Sequence, residues 1–139
     1  MIVDVKGIVA GRAATRIAKA LIKGETVIVL NAQDAVMVGN TPSIMEKFKR
    51  RTDASVLSNP HYGPKYARIP DRMFRRTVRN MLPTKKSAKE RMIKRLKVFN
   101  AVPKEYASEK AITFEESRFN ERHNAMTYKE IALQLGGRW

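Results

Sequence analysis

The sequence predicts an α/β fold built on parallel strands, and three observations carry the reading. Thr26–Leu30 (TVIVL) is β-branched and apolar without alternation, the pattern of a strand covered on both faces in a parallel sheet. Ile2–Val5 is a second, shorter apolar run. Between them, Ala13, Ala14, Ile17, Ala18, Leu21 and Ile22 share one face of a helix over Arg12–Ile22, and Gly24 is placed to end it. Strand, amphipathic helix, strand is a βαβ unit.

At 139 residues, 43% of them hydrophobic, the chain fits one domain, 1–139, large enough to bury a core. It divides into a βαβ core (1–46), a basic loop and helices (47–97), and a last core strand with a C-terminal extension (98–139). A third apolar run, Ala35–Val38, closes with Gly39-Asn40, and the pattern leaves open whether it joins the sheet. Thr41-Pro42 reads as a capped helix start with Pro at the first helical position, continuing through Ile44, Met45 and Phe48. Thr52–Ile69 has no period and contains Asn59-Pro60 and Gly63-Pro64, so it reads as a long loop.

Over Asp71–Leu82 the apolar Phe74, Val78, Met81 and Leu82 oppose Arg72, Arg75, Arg76 and Arg79, which predicts a helix with one packing and one cationic face. Pro83-Thr84 is the hinge. The capping-box pattern Ser87-Ala88-Lys89-Glu90 then starts a helix through about Leu96, with Met92, Ile93 and Leu96 inward. Met73, Met81 and Met92 sit at core spacings. Lys97–Asn100 is the expected fourth strand. A second capping box, Thr127-Tyr128-Lys129-Glu130, leads a short helix to Gly136-Gly137.

Charge supplies the functional signal. The chain has 28 Lys and Arg against 13 acids, and seventeen of those bases lie in 47–97 with only three acids, Asp53, Asp71 and Glu90. A charge run is more often a solvated face than a site. Here the run is nearly single-sign over two helices and a loop, so it repels itself in the free protein. It is also rich in Arg, whose planar fork grips phosphate bidentately. His61, Tyr62 and Tyr66 interleave with Lys65 and Arg68, setting flat rings for unpaired bases beside cations for a backbone. The expectation is RNA binding, with Arg72, Arg75, Arg76 and Arg79 on phosphates. Lys47, Lys49, Arg50, Arg51, Lys85, Lys86, Lys89, Arg91, Lys94 and Arg95 join them, and His61, Tyr62 and Tyr66 lie near bases or sugars.

The stripe Arg12, Arg16, Lys19 and Lys23 is read at least as readily as a solvated face. Gly7–Arg12 stands at a strand-to-helix turn of the kind that cradles phosphate, without the dinucleotide fingerprint or a P-loop; a tight turn is the plainer reading, with an RNA phosphate at Arg12 the functional one. There is no cysteine, and the two histidines, His61 and His123, have no metal or catalytic spacing around them. Glu115-Glu116 reads as a solvated pair. No enzyme, metal or cofactor is expected. Neither a leader nor an apolar run of ~18 residues is seen, so the expected location is cytoplasmic, with no membrane and no small-molecule substrate. The rival readings are a general polyanion-binding or regulatory protein and a nucleotide-handling enzyme.

Taken together, Val3-Asp4-Val5-Lys6-Gly7 with Gly11-Arg12 and Ala14, Val27–Ala32, His61-Tyr62-Gly63-Pro64, Ile69-Pro70, Phe74–Val78 with Arg79, Met81-Leu82-Pro83, and Arg95–Phe99 with Pro103 form a recognisable set. In these segments, over about Met1–Tyr106, the chain resembles the large-subunit ribosomal protein L13 family in its archaeal and eukaryotic form. Where the family segment reads R-T-V-R-G-M-L-P, this chain has Asn80. The resemblance implies a three-layer α/β/α domain on a small, mostly parallel sheet of about four strands. It also implies a structural, non-enzymatic role in the large (50S-type) subunit. The implied partners are large-subunit (23S-type) rRNA, bound early in assembly, and neighbouring large-subunit proteins.

Overall fold

A computed structural model describes residues 1–120 and 123–139. The elements are β1 (Ile2–Asp4), α1 (Ala10–Ile22), β2 (Val27–Leu30), β3 (Val36–Val38), α2 (Thr41–Asp53), α3 (Pro70–Asn80), α4 (Lys86–Lys94), β4 (Leu96–Val98), β5 (Ile112–Thr113), β6 (Ala125–Thr127) and α5 (Tyr128–Gln134). Four strands form one sheet in the order β4-β2-β1-β5. All its pairings are parallel, with Val3 opposite Val29 and Ile112, and Ile28 opposite Lys97.

The connections from β1 to β2 through α1 and from β2 to β4 through α3 and α4 step in the same direction across the sheet. Right-handed crossovers therefore leave all three helices on one face. That face carries the core: Val3, Val27, Val29 and Leu96 are buried with Ala13, Ala14, Ile17 and Leu21 of α1 and Phe74 and Val78 of α3. The alanines let α1 lie close against the strands. On the other face Ile2 and Ile28 are only half-buried and Lys97 is exposed.

The third apolar run leaves the sheet. After β2, Asn31 takes a left-handed φ of 57°, held by its amide on Asp4 Oδ1 at 2.9 Å, and one 3-10 turn, Ala32–Asp34, redirects the chain. With β1 and β4 on either side of β2, β3 pairs antiparallel with β6 instead, Val36 opposite Thr127. Both β5 and β6 lie in a tail where the sequence predicted only the final helix. That helix is capped as expected: Thr127 N–H donates to Glu130 Oε2 at 2.9 Å, and Glu130 N–H to Thr127 Oγ1 at 3.2 Å.

Several boundaries differ from expectation. The fourth core strand is Leu96–Val98 rather than Lys97–Asn100, because pairing starts as soon as α4 ends, with Val27 N–H on the Arg95 carbonyl at 3.0 Å. Helix α4 starts behind Lys85, and the Ser87 capping box does not form. The cap of α2 is Asn40 rather than Thr41, which moves Pro42 to the second helical position. Ile22 and Met81, placed in the core by periodicity, are exposed at 50% and 40%. Met81 lies one residue past α3, with its sulfur 3.5 Å from Thr15 Oγ1.

Candidate nucleic-acid interface

Helix α3 is anchored from below and charged above. Phe74, fully buried, meets Tyr128 of α5 edge-on at 6.1 Å, and Thr77 Oγ1 lies 3.0 Å from Tyr128 Oη. Burial raises the Tyr128 phenol pKa, and the Thr77 hydrogen bond works against that rise. With Met73, Phe74 and Val78 committed to the core, the helical period turns Arg72, Arg75, Arg76 and Arg79 outward, and all four are exposed.

The hinge at Met81–Lys85 folds α4 beside this face. Between the two helices lies an open cleft of about 630 Å³ lined by Arg72, Arg75, Arg76, Arg79, Lys86 and Lys89, with Lys65 from the preceding loop. Seven cations thus face one carboxylate, Glu90. Arg75 Nη2 donates to the Ile93 carbonyl at 3.1 Å, at the C-terminal turn of α4, where a cation also meets the helix dipole favourably. The guanidinium of Arg76 lies over the Tyr66 ring at 3.9 Å.

Ion pairs do little to neutralise this charge. Among the described residues two are present, Arg50 with Glu46 on α2 and Arg16 with Glu116. No pair involves a cation of the α3–α4 cleft. Phosphate oxygens fit such a site: the donors are solvated, close together and uncompensated.

The remaining predicted residues fall in separate places. Lys47 and Arg51 line a second, smaller groove between α2 and α3, together with Tyr66 and Arg76. Lys49 and Arg50 are exposed on α2. Lys65 and Arg68 border a shallow depression beside Gly63 and Pro64. His61 and Tyr62 are exposed, Tyr62 at 83%, and line none of these cavities. Lys85, Arg91, Lys94 and Arg95 are exposed around α4, outside the cleft. Arg12 borders a different depression with Arg16 and Lys19, where Arg16 also lies 5.2 Å above the Phe114 ring.

The Gly7 turn directs its donors inward. Gly7, Ile8 and Val9 N–H donate to the carbonyls of Asp34, Val5 and Ser117 at 3.1, 3.2 and 2.9 Å, which leaves those three unavailable to a phosphate. The sequence reading missed Ala67, Thr84 and Ile93 in the cleft lining and Tyr128 in the second groove. Ile93 carried a helical spacing that pointed to the core, Thr84 stood in the hinge and Tyr128 in a capping box; Ala67 carried no signal. Among the described residues no cluster of three His, Cys, Asp or Glu could hold a metal. No helix there is long and apolar enough to cross a membrane.

The family model described as Ribosomal protein L13 matches residues 1–105, from β1 through β4 and just beyond. The chain is 36% identical over 139 residues to the large ribosomal subunit protein uL13 of Methanosphaera stadtmanae, covering 99% of this chain and 98% of that protein. To uL13 of Thermoplasma volcanium it is 33% identical over 136 residues, 98% of each. To uL13 of Methanococcus maripaludis it is 38% identical over 104 residues, covering 74% of this chain and 76% of the relative. The chain belongs to the ribosomal protein L13 family.

Proposed function

We propose that the chain is a structural, non-enzymatic constituent of the large ribosomal subunit that binds large-subunit rRNA through the cationic faces of α3 and α4. The carrying observation is the α3–α4 cleft, in which seven cations face a single carboxylate and none is held in an ion pair with a described residue. Folded rRNA supplies the missing negative charge, and bringing its phosphates together around these cations lets RNA segments pack closely. The β-sheet core holds α3 rigid. The exposed cations of α2, α4 and the 52–69 loop widen the contact, and neighbouring large-subunit proteins share the remaining surface.

Salt dependence tests the reading. With ~6 to 10 phosphate contacts, affinity for large-subunit rRNA fragments falls by roughly 10³- to 10⁵-fold between 50 and 200 mM salt. Replacing Arg75, Arg76 and Arg79 together by Gln leaves the fold intact, because all three are exposed and only the surface contacts of Arg75 with the Ile93 carbonyl and of Arg76 with Tyr66 are lost, with the core residues of α3 untouched. The replacement reduces the slope of log K against log salt by about three. An unchanged slope refutes the assignment. Sedimentation of extract after a high-salt wash separates ribosomal incorporation, with one copy per large subunit, from general polyanion binding, with recovery in light fractions only.

A further inference from the structure

The second groove, between α2 and α3, differs in character from the first. It measures about 260 Å³ and is lined by Met37, Phe48, Met73, Met81 and Tyr128, with Tyr66 beside them. Met37, Phe48 and Tyr66 are only half-buried, and α2 sends just Ile44 and Met45 into the core, so an apolar slot stays open beside it. Three exposed cations, Lys47, Arg51 and Arg76, line the same slot. A flat apolar group joined to an anion complements that combination, which describes a nucleotide of RNA rather than a protein side chain.

We propose that this groove receives one unstacked nucleobase of the bound RNA, a reading that rests on the RNA-binding role above. Its volume lies below the roughly 300–1,000 Å³ of pockets that enclose drug-sized molecules, leaving room for a base with its sugar and phosphate outside. Thr77 is already satisfied by the Met73 carbonyl at 3.2 Å and by Tyr128, so no deep polar atom demands a partner. The Asn80 side-chain amide lines the groove, makes no hydrogen bond to the described residues, and offers a donor and an acceptor to a base edge. Arg76 lines both cavities and stacks on Tyr66, so it links a base in this groove to phosphates in the α3–α4 cleft.

The test uses the full chain and a single-stranded oligouridylate carrying one 2-aminopurine, with anisotropy reporting binding and base emission reporting stacking. The emission changes and saturates together with binding. Asn80→Trp fills the groove without altering charge; it removes the emission change and weakens binding roughly tenfold at an unchanged salt slope. Tyr66→Leu, which keeps an apolar side chain, shifts both readouts in the same direction and covers a folding failure of the first variant. Binding with the expected salt slope but no emission change overturns the base site alone and leaves the groove to a neighbouring protein. No binding at low salt overturns the RNA-binding reading and this inference together. Saturation by 2-aminopurine riboside monophosphate that survives moderate salt makes the groove a free-nucleotide site and also overturns it.

Discussion

Residues 1–46 carry five bases and four acids around a dense apolar interior, whereas residues 47–97 carry seventeen bases and three acids. The first region supplies Val3, Val5, Ile8, Ile17, Leu21, Val27 and Val29 to the core, all fully buried. In the second, full burial is confined to Phe74, Val78 and Leu96; α4 has no buried residue, and the two that α2 buries, Ile44 and Met45, fall before residue 47. The difference shows how a protein presents strong self-repelling charge without unfolding: one helix, α3, is fixed into the core, and its basic neighbours attach to it lightly. Local stability should therefore step down from the sheet to α3 and again to α2 and α4.

The sharpest way to break this arrangement is Phe74→Ala. The ring is completely buried against Tyr128, and its removal leaves a cavity under the charged face. A loss of about 3–5 kcal/mol is expected in urea unfolding. RNA affinity should fall with it although no cation has been removed.

Gly137→Ala should cost about 1–3 kcal/mol, because a side chain there would run into the Arg68 carbonyl and press on that of Ala132. The contact ties the C-terminal tail to the loop that leads into α3. Hydrogen exchange should show the loss concentrated around residues 65–70, with β1 and β2 protected as before.

The two regions also differ in how much could be read from sequence. The βαβ core was legible because Thr26–Leu30 and the face of α1 follow simple periods, and the basic region because charge is visible residue by residue. What stayed hidden depends on distant contacts. Strand β3 turns away from the sheet through the left-handed Asn31 and pairs with β6, some ninety residues on, and no local pattern specifies that partner. Strand β5 is two residues long, too short for a period. The α3–α4 cleft exists because the hinge folds one basic helix beside another, so each cation was identified from sequence but their convergence was not. Met81 obeyed the helical period and still emerged at the surface, because α3 ends one residue before it.

Tyr128→Phe sharpens the comparison at the boundary between core and charged face. The phenol is buried and bonded to Thr77, whose hydroxyl keeps its bond to the Met73 carbonyl, so the substitution should cost only about 1 kcal/mol. Burial raises its pKa above the ordinary 10.0, with the Thr77 bond opposing the rise. The folded state thus favours the neutral phenol, and this contribution is complete below pH 10.0 and lost as pH climbs through the folded-state value. Unfolding followed above pH 10 should show a smaller alkaline loss in the Phe variant than in the parent.

The smallest effect should come from Glu46→Gln. Arg50 Nη2 lies 2.6 Å from Glu46 Oε1, one helical turn apart on α2, with the acid on the favourable N-terminal side. Both side chains are well exposed, which limits the pair to about 0.3–0.5 kcal/mol at low salt. Thermal unfolding should detect that loss in dilute buffer and find almost none at about 0.5 M salt, where exposed charges are screened. RNA affinity should move the other way, rising slightly because the substitution frees Arg50 and removes a carboxylate from the edge of the basic region. A loss well beyond this range would mean that α2 is held by its surface charge rather than by Ile44 and Met45, reversing the contrast between a packed core and a lightly attached cationic surface.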